Sequence, residues 1–354
     1  MGRGMRHGYT TGACAAAAAK GAAFLLQGQT LISFVEIVLP GGTVVPFTLH
    51  GQSFDAERAR CFVVKDAGDD PDVTNGCEVW AEVTRAEVGE EVVISGGTGI
   101  GRVTKPGLAL PVGEWAINPV PRVMITTALR EIFPVGGVQV VVSIPDGLVR
   151  AQRTLNARLG ILGGLSILGT TGIVKPISHQ AWTDTLDAAL DVACACGRTT
   201  VVLATGRTSE MVVQKSLEFA GINLGEEAFI MMGDHVGYAL RACARREIPA
   251  VILAGQFAKL LKIACRHEQT HVSASHLDLQ ELQSWLEAEK FPDATIQLAA
   301  TANTAREVLV ACHEAPALID LVCARAEAFA RSLAPQINLQ VFLAGYDNEV
   351  LYFR

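Results

Sequence analysis

From about residue 199 the chain alternates short apolar runs with amphipathic helical stretches, and that rhythm admits few folds. Thr200 to Ala204, Ala228 to Met232 and Ala250 to Ala254 read as strands, while Ser209 to Ala220, Val236 to Glu247 and Phe257 to Arg266 read as helices. Repeated strand and helix predicts a parallel sheet with right-handed crossovers, hence a Rossmann-like domain over 199–354. Sheets of this kind hold ligands outside the carboxyl ends of their strands. Here those ends are Thr205-Gly206-Arg207, Gly233-Asp234-His235 and Gly255-Gln256. A glycine at each leaves room for a ligand against the backbone. Ordinary helix-entry turns use the same glycines, so the pattern marks a place and names no ligand.

The first part of the chain is richer in strand signals. Leu31 to Leu39 and Thr43 to Leu49 flank Gly41-Gly42 as a hairpin, and Cys61 to Lys65, Glu78 to Thr84 and Glu90 to Ser95 read as further strands. Pro121 to Phe133 has helical spacing behind an N-terminal proline, and Gly137 to Ile144 reads as a buried strand. The expected fold class is therefore two domains: a mixed α+β domain over 1–150 and the α/β domain over 199–354. Residues 151–198, glycine-rich but not of low complexity, form the expected crossing between them. A length of 354 residues suits two cores.

Several partners are disfavoured by composition. The formal net charge of -7 argues against nucleic acid, because phosphate binding needs a basic footprint. No run of eighteen apolar residues is present, so no membrane span is expected. Arg3 and Arg6 before the alanine-rich run Ala13 to Ala19 imitate a secretion leader, but Lys20 interrupts that run and Thr10-Thr11-Gly12 reads as a helix start. Nine cysteines without a CxxC pair point to reduced thiols, and so to the cytoplasm. No segment speaks to oligomeric state.

Four segments carry candidate chemistry. GYTTGACAAAAAKGAA, from Gly8, sets two hydroxyl residues before a helix: Thr10 and Thr11 either complete an anion site or simply cap a core helix. KDAGDDPDVTNG, from Lys65, gathers Asp66, Asp69, Asp70 and Asp72; it is either a solvated loop or a place where crowding raises one carboxyl's pKa. It lacks the glutamate of a calcium loop. GGTGIGRVTKPG, from Gly96, fits neither phosphate-loop fingerprint, but Arg102, Lys105, Arg122, Lys175, Lys65 and Arg6 all fall in or beside glycine- or proline-rich loops, as a ligand with several carboxylates would require. HEQTH, from His267, copies a zinc-protease pattern that chance produces easily.

These blocks, with GEWAINPVPR from Gly113 and GGLSILGTTGIVKPIS from Gly163, resemble the cobalt-precorrin-5B C1-methyltransferase family, CbiD, in order and over most of the chain. Departures from the family pattern are Gly255-Gln256-Phe257-Ala258-Lys259, Val272 after Thr270-His271, and Trp115 where proline is usual. The resemblance implies methyl transfer from S-adenosylmethionine to C1 of cobalt-precorrin-5B, a small-molecule substrate that brings its own cobalt, with no metal site in the protein. For such a reaction the strand ends of the second domain and the turn from Gly169 to Gly172 are expected to hold the donor, through Thr170, Thr171, Gly172, Thr205, Gly206, Gly233 and Asp234. Thr10, Thr11, Lys65, Arg102, Lys105, Asn118 and Arg122 would grip the macrocycle's carboxylates, with Asp66 or Asp70 removing a proton, in a cleft between the domains. Rival readings are a nicotinamide oxidoreductase, which lacks its glycine fingerprint here, a tetrapyrrole carrier and a zinc hydrolase.

Overall fold

An alanine run can lie flush against a sheet because its side chains reach no further than Cβ, and the first long helix uses this. The computed structural model describes residues 5–86, 89–176 and 178–354; Arg3 and Ile177 lie outside them. Helix α1 (Thr11–Gly28) is wholly buried from Ala13 to Ala19. Over that stretch it is apolar on every side, as the central part of a core helix must be.

The chain divides into Met1–His179 and Gln180–Arg354. In the first unit, β1 (Phe34–Val38) and β2 (Val44–Thr48) form the antiparallel hairpin expected around Gly41-Gly42. A five-stranded sheet follows: β3 (His50–Phe54), β4 (Arg58–Val64), β5 (Glu78–Arg85), β6 (Val92–Gly96) and β7 (Val138–Ser143), in the order β3-β4-β5-β7-β6. Alternation along β4 and β5 buries Ala59, Cys61, Val63, Val79, Ala81 and Val83 in the core that contains α1. The Cys61 thiol donates to the Ala18 carbonyl at 3.2 Å, so helix and sheet touch backbone to side chain. Helix α2 (Pro119–Arg130) also packs on α1, with Pro119 in its first turn.

In the second unit α3 (His179–Ala195) precedes β8 (Thr200–Ala204), α4 (Arg207–Phe219), β9 (Phe229–Met231), α5 (Val236–Arg245), β10 (Ala250–Gly255) and α6 (Phe257–Ala264). These strands and the three helices after them fall within a few residues of their predicted positions. The sequence rhythm stops there, but the sheet does not: β11 (Asn338–Ala344) adds a parallel strand and β12 (Val350–Phe353) an antiparallel edge, giving β9-β8-β10-β11-β12. Both units thus mix helix and sheet. Residues 151–198 do not form one element: up to His179 they belong to the first unit, and α3 carries most of the rest into the second.

Candidate functional site

The glycine-rich blocks of the first unit meet along one strap, residues 163–174. Leu165 N–H donates to Gly99 O at 2.9 Å, Ile167 N–H to Ala116 O at 2.7 Å, and Asn118 N–H to Ile167 O at 2.9 Å. Gly12 N–H donates to Leu168 O and Thr10 N–H to Gly172 O, both at 3.0 Å. Gly99 shows why glycine is needed: its φ is +73°, and a Cβ there would lie 1.9 Å from Ile144 O. Three blocks far apart in sequence, those beginning at Gly8, Gly96 and Gly113, therefore share one backbone network.

Most expected ligand-gripping groups of this unit also have partners in the fold. Thr10 caps α1, accepting from Ala13 N–H at 3.2 Å, and the Thr11 hydroxyl bonds Leu168 N–H at 3.0 Å. Both threonines are buried, and with Gly12 and Ala13 N–H occupied the helix start is largely satisfied internally. Lys65 was expected on a ligand carboxylate, yet its side chain is 1% exposed and its Nζ lies 2.6 Å from Asp72 Oδ2. That charge is neutralised inside the protein. Burial pushes the Asp72 carboxyl up, but Lys65 and the bonds from Lys65 and Thr74 outweigh it and hold the group below the usual carboxylate range. Asp66 is exposed and bonded through both oxygens to Arg6, whose guanidinium, with Gly68 N–H, holds its pKa down. Asp70 is half-buried on the same loop.

The cations of the next blocks lie at the surface or partly buried. Arg102 stacks over the Trp115 ring at 3.8 Å and donates to Gly113 O at 2.5 Å, so Trp115 helps hold the guanidinium in place. Arg122 donates to Ile117 O at 2.8 Å and reaches Glu114 at 3.2 Å. Lys105 reaches Arg158 O at 3.4 Å, and Asn118 stands at the start of α2 without a side-chain capping bond. Thr170 and Thr171 are exposed and Gly172 buried; this turn belongs to the first unit, beside Thr10. An apolar groove of about 320 Å³, lined by Ile37, Val38, Pro119, Val123 and Met124 among others, has Glu131 as its one charged lining residue.

In the second unit the three glycine-bearing strand ends are neighbours. Thr205 N–H donates to Ala254 O at 2.9 Å and Met232 N–H to Ala204 O at 2.9 Å. Nothing lies within 4 Å of where a Cβ of Gly206 would be, so the end of β8 opens onto free space. Asp234, beyond β9, accepts from Thr270 Oγ1 at 2.6 Å and pairs with Lys259, both through Oδ1; among the described residues no protein group bonds Oδ2. Partial burial pushes the Asp234 carboxyl up, but the Lys259 and Thr270 bonds prevail and keep it low. Lys262 braces the same loop, donating to Thr270 O and Ser275 O at 3.0 Å.

Sequence reasoning named Asp234 as a candidate but assigned no role to Lys259, Lys262 or Thr270. Their signal was the unusual segment at Gly255 to Lys259 and the Thr270-His271 pair. The zinc pattern loses its geometry: α6 ends at Ala264, so His267 and His271 do not share a helical face, and Glu268 is bound by Arg241. Among the described residues no three His, Cys, Asp or Glu side chains are placed to hold a metal, and no helix is long and apolar enough to cross a membrane. Burial pushes the Cys14 and Cys61 thiols up to about 12, which removes them as nucleophiles.

Comparison with known proteins adds a separate line. Residues 1–176 match the profile of the CbiD family, and residues 269–353 match that of the CbiD C-terminal domain. A relative from Geobacter sulfurreducens is 61% identical, covering 99% of this chain and 99% of its own; one from Geotalea daltonii is 58% identical, covering 99% and 98%. Both carry the name cobalt-precorrin-5B C(1)-methyltransferase. A crystal structure of the cobalamin biosynthesis protein (cbiD) from Archaeoglobus fulgidus is 30% identical over 72% of this chain and 78% of its own, with a TM-score of 0.40.

Proposed function

Because the chain belongs to the CbiD family, we propose that it methylates C1 of cobalt-precorrin-5B with S-adenosylmethionine, giving cobalt-precorrin-6A on the anaerobic route to cobalamin. The observation that carries this reading is 61% identity, over essentially the whole of both chains, to a relative of that name. The protein works in the cytoplasm on this reading, and its cobalt arrives inside the substrate.

We read the second sheet as Rossmann-like. Taken in chain order its strands lie 2-1-3-4 with an antiparallel fifth, an arrangement whose switch point falls between β8 and β10. The donor is assigned to the carboxyl ends on the β8 side of the sheet: Thr205 and Gly206 beside the open space after β8, and Gly233 and Asp234 after the neighbouring edge strand β9. Asp234 supplies the polar contact, since Oδ2 is open to a ribose hydroxyl while Lys259 and Thr270 fix the carboxylate through Oδ1.

On the first unit the exposed Arg102 and the partly buried Lys105, Arg122 and Asn118 are assigned to the acetate and propionate groups of the substrate. Thr170 and Thr171, exposed beside Thr10, are moved to the same role. Lys65 acts through Asp72, and Thr10 and Thr11 act by holding the strap.

The donor would supply its methyl group by in-line displacement at the sulfonium carbon. The protein's task is to hold the partners at attack distance and exclude water. Asp66, kept ionised by Arg6, and Asp70, half-buried on the same loop, are the two carboxylates proposed for any proton loss.

The test is incubation of the purified protein with cobalt-precorrin-5B and S-adenosylmethionine, read by mass. A gain of one methyl group is expected. Tight corrinoid binding with no mass gain would make the protein a carrier, and NADH binding without S-adenosylmethionine binding would make it an oxidoreductase. If Asp66→Asn and Asp70→Asn both keep full turnover and an unchanged pH profile, the proton-transfer assignment is wrong.

A further inference from the structure

Next to the open carboxylate of Asp234 stands an indole that no part of the preceding reading uses. Trp182 lies in the first turn of α3 yet reaches the end of β9, where its Nε1 donates to Met232 O at 3.1 Å. One side of its ring lies against Gly233: φ is +59° there, and a Cβ would fall 2.8 Å from the indole Cζ2. The His235 ring stacks near it, 6.0 Å between centroids at 24°. Despite these contacts the residue is 45% exposed. The ring is therefore fixed in position and still open to solvent.

We infer that Trp182 is the platform on which the donor's adenine stacks. Three observations support it together. The indole is at the carboxyl end of a parallel strand next to β8, the end of such a sheet at which ligands bind. It is locked by its own N–H and by packing, so offering a face to a base requires no further ordering of the side chain. The residue beside its contact glycine is Asp234, whose Oδ2 is assigned above to the ribose, so the two halves of a nucleoside meet groups one residue apart. Gly233 then has a double reason to be glycine: the left-handed backbone and the space for the indole.

This inference rests on the donor reading, and the test separates the two. Full-length protein is titrated with S-adenosylhomocysteine and with 5′-methylthioadenosine, which keeps adenine and ribose but lacks the amino-acid end. Trp182→Ala is expected to raise both dissociation constants about tenfold, in line with base-on-aromatic stacking. Trp182→Phe should stay within about threefold, since a phenyl ring still stacks. The chain has four tryptophans, so nucleoside-induced quenching that is present in the native protein and lost in Trp182→Phe locates the contact even if the alanine variant folds poorly. Native affinity in Trp182→Ala, or quenching that persists in Trp182→Phe, overturns the inference and leaves the methyltransferase reading intact. Failure of the native protein to bind either nucleoside overturns both.

Discussion

Two lysine–aspartate pairs sit in the two units, and they are built for different ends. In the first, Lys65 is 1% exposed and Asp72 25% exposed by side chain; in the second, Lys259 is 34% and Asp234 24% exposed. Lys65 reaches Asp72 at Oδ2, while Oδ1 is taken by Thr74. Asp234 keeps both its protein bonds on one oxygen. The same chemical pair is thus saturated where it anchors a loop and left half-open where it ends a strand. Burial of the cation and the count of engaged oxygens, not residue type, distinguish the two.

The contrast can be broken from the first pair outward. Lys65→Met leaves Asp72 without its counter-ion and should cost about 3–5 kcal/mol in urea unfolding. A loss under about 1 kcal/mol would mean the pair does not anchor the loop. Next comes the pH dependence of that pair. The folded pKa of Asp72 is depressed, so its stabilisation is complete above the unfolded value near pH 4 and fades as pH falls through the lower folded value. The urea midpoint should drop below about pH 4, and Asp72→Asn should flatten that drop.

The second pair predicts a different phenotype. Asp234→Asn should weaken S-adenosylhomocysteine about tenfold by calorimetry, because the amide cannot accept at both positions, with little change in unfolding midpoint. If stability falls and affinity does not, both pairs are structural and the contrast fails. The smallest effect is expected at the rim: Arg102→Met should raise KM for the corrinoid several-fold at constant kcat, with a stability loss of about 0.5–1 kcal/mol from the lost stacking on Trp115.

Legibility in the sequence followed the range of the interaction. Thr200–Ala204 and the helices at Arg207 and Val236 were readable because apolar periodicity is local. The strands Asn338–Ala344 and Val350–Phe353 were not read, since a stretch of more than seventy residues separates them from Gly255. Asp234 stood out as a candidate beside a strand-end glycine, but its partners Lys259 and Thr270 are 25 and 36 residues away and no spacing rule links them. Lys65 shows the opposite error. A cation in a glycine-rich loop looks available for a ligand until burial is known.

By itself the sequence determined the family and the mixed helix and sheet of both halves, because block order and periodicity are written along the chain. Only the tertiary structure decided which charges face outward and which face one another. Burial and pairing depend on contacts between segments distant in sequence, and they turn Lys65 inward, hold Asp66 to Arg6 and leave one oxygen of Asp234 open beside Trp182.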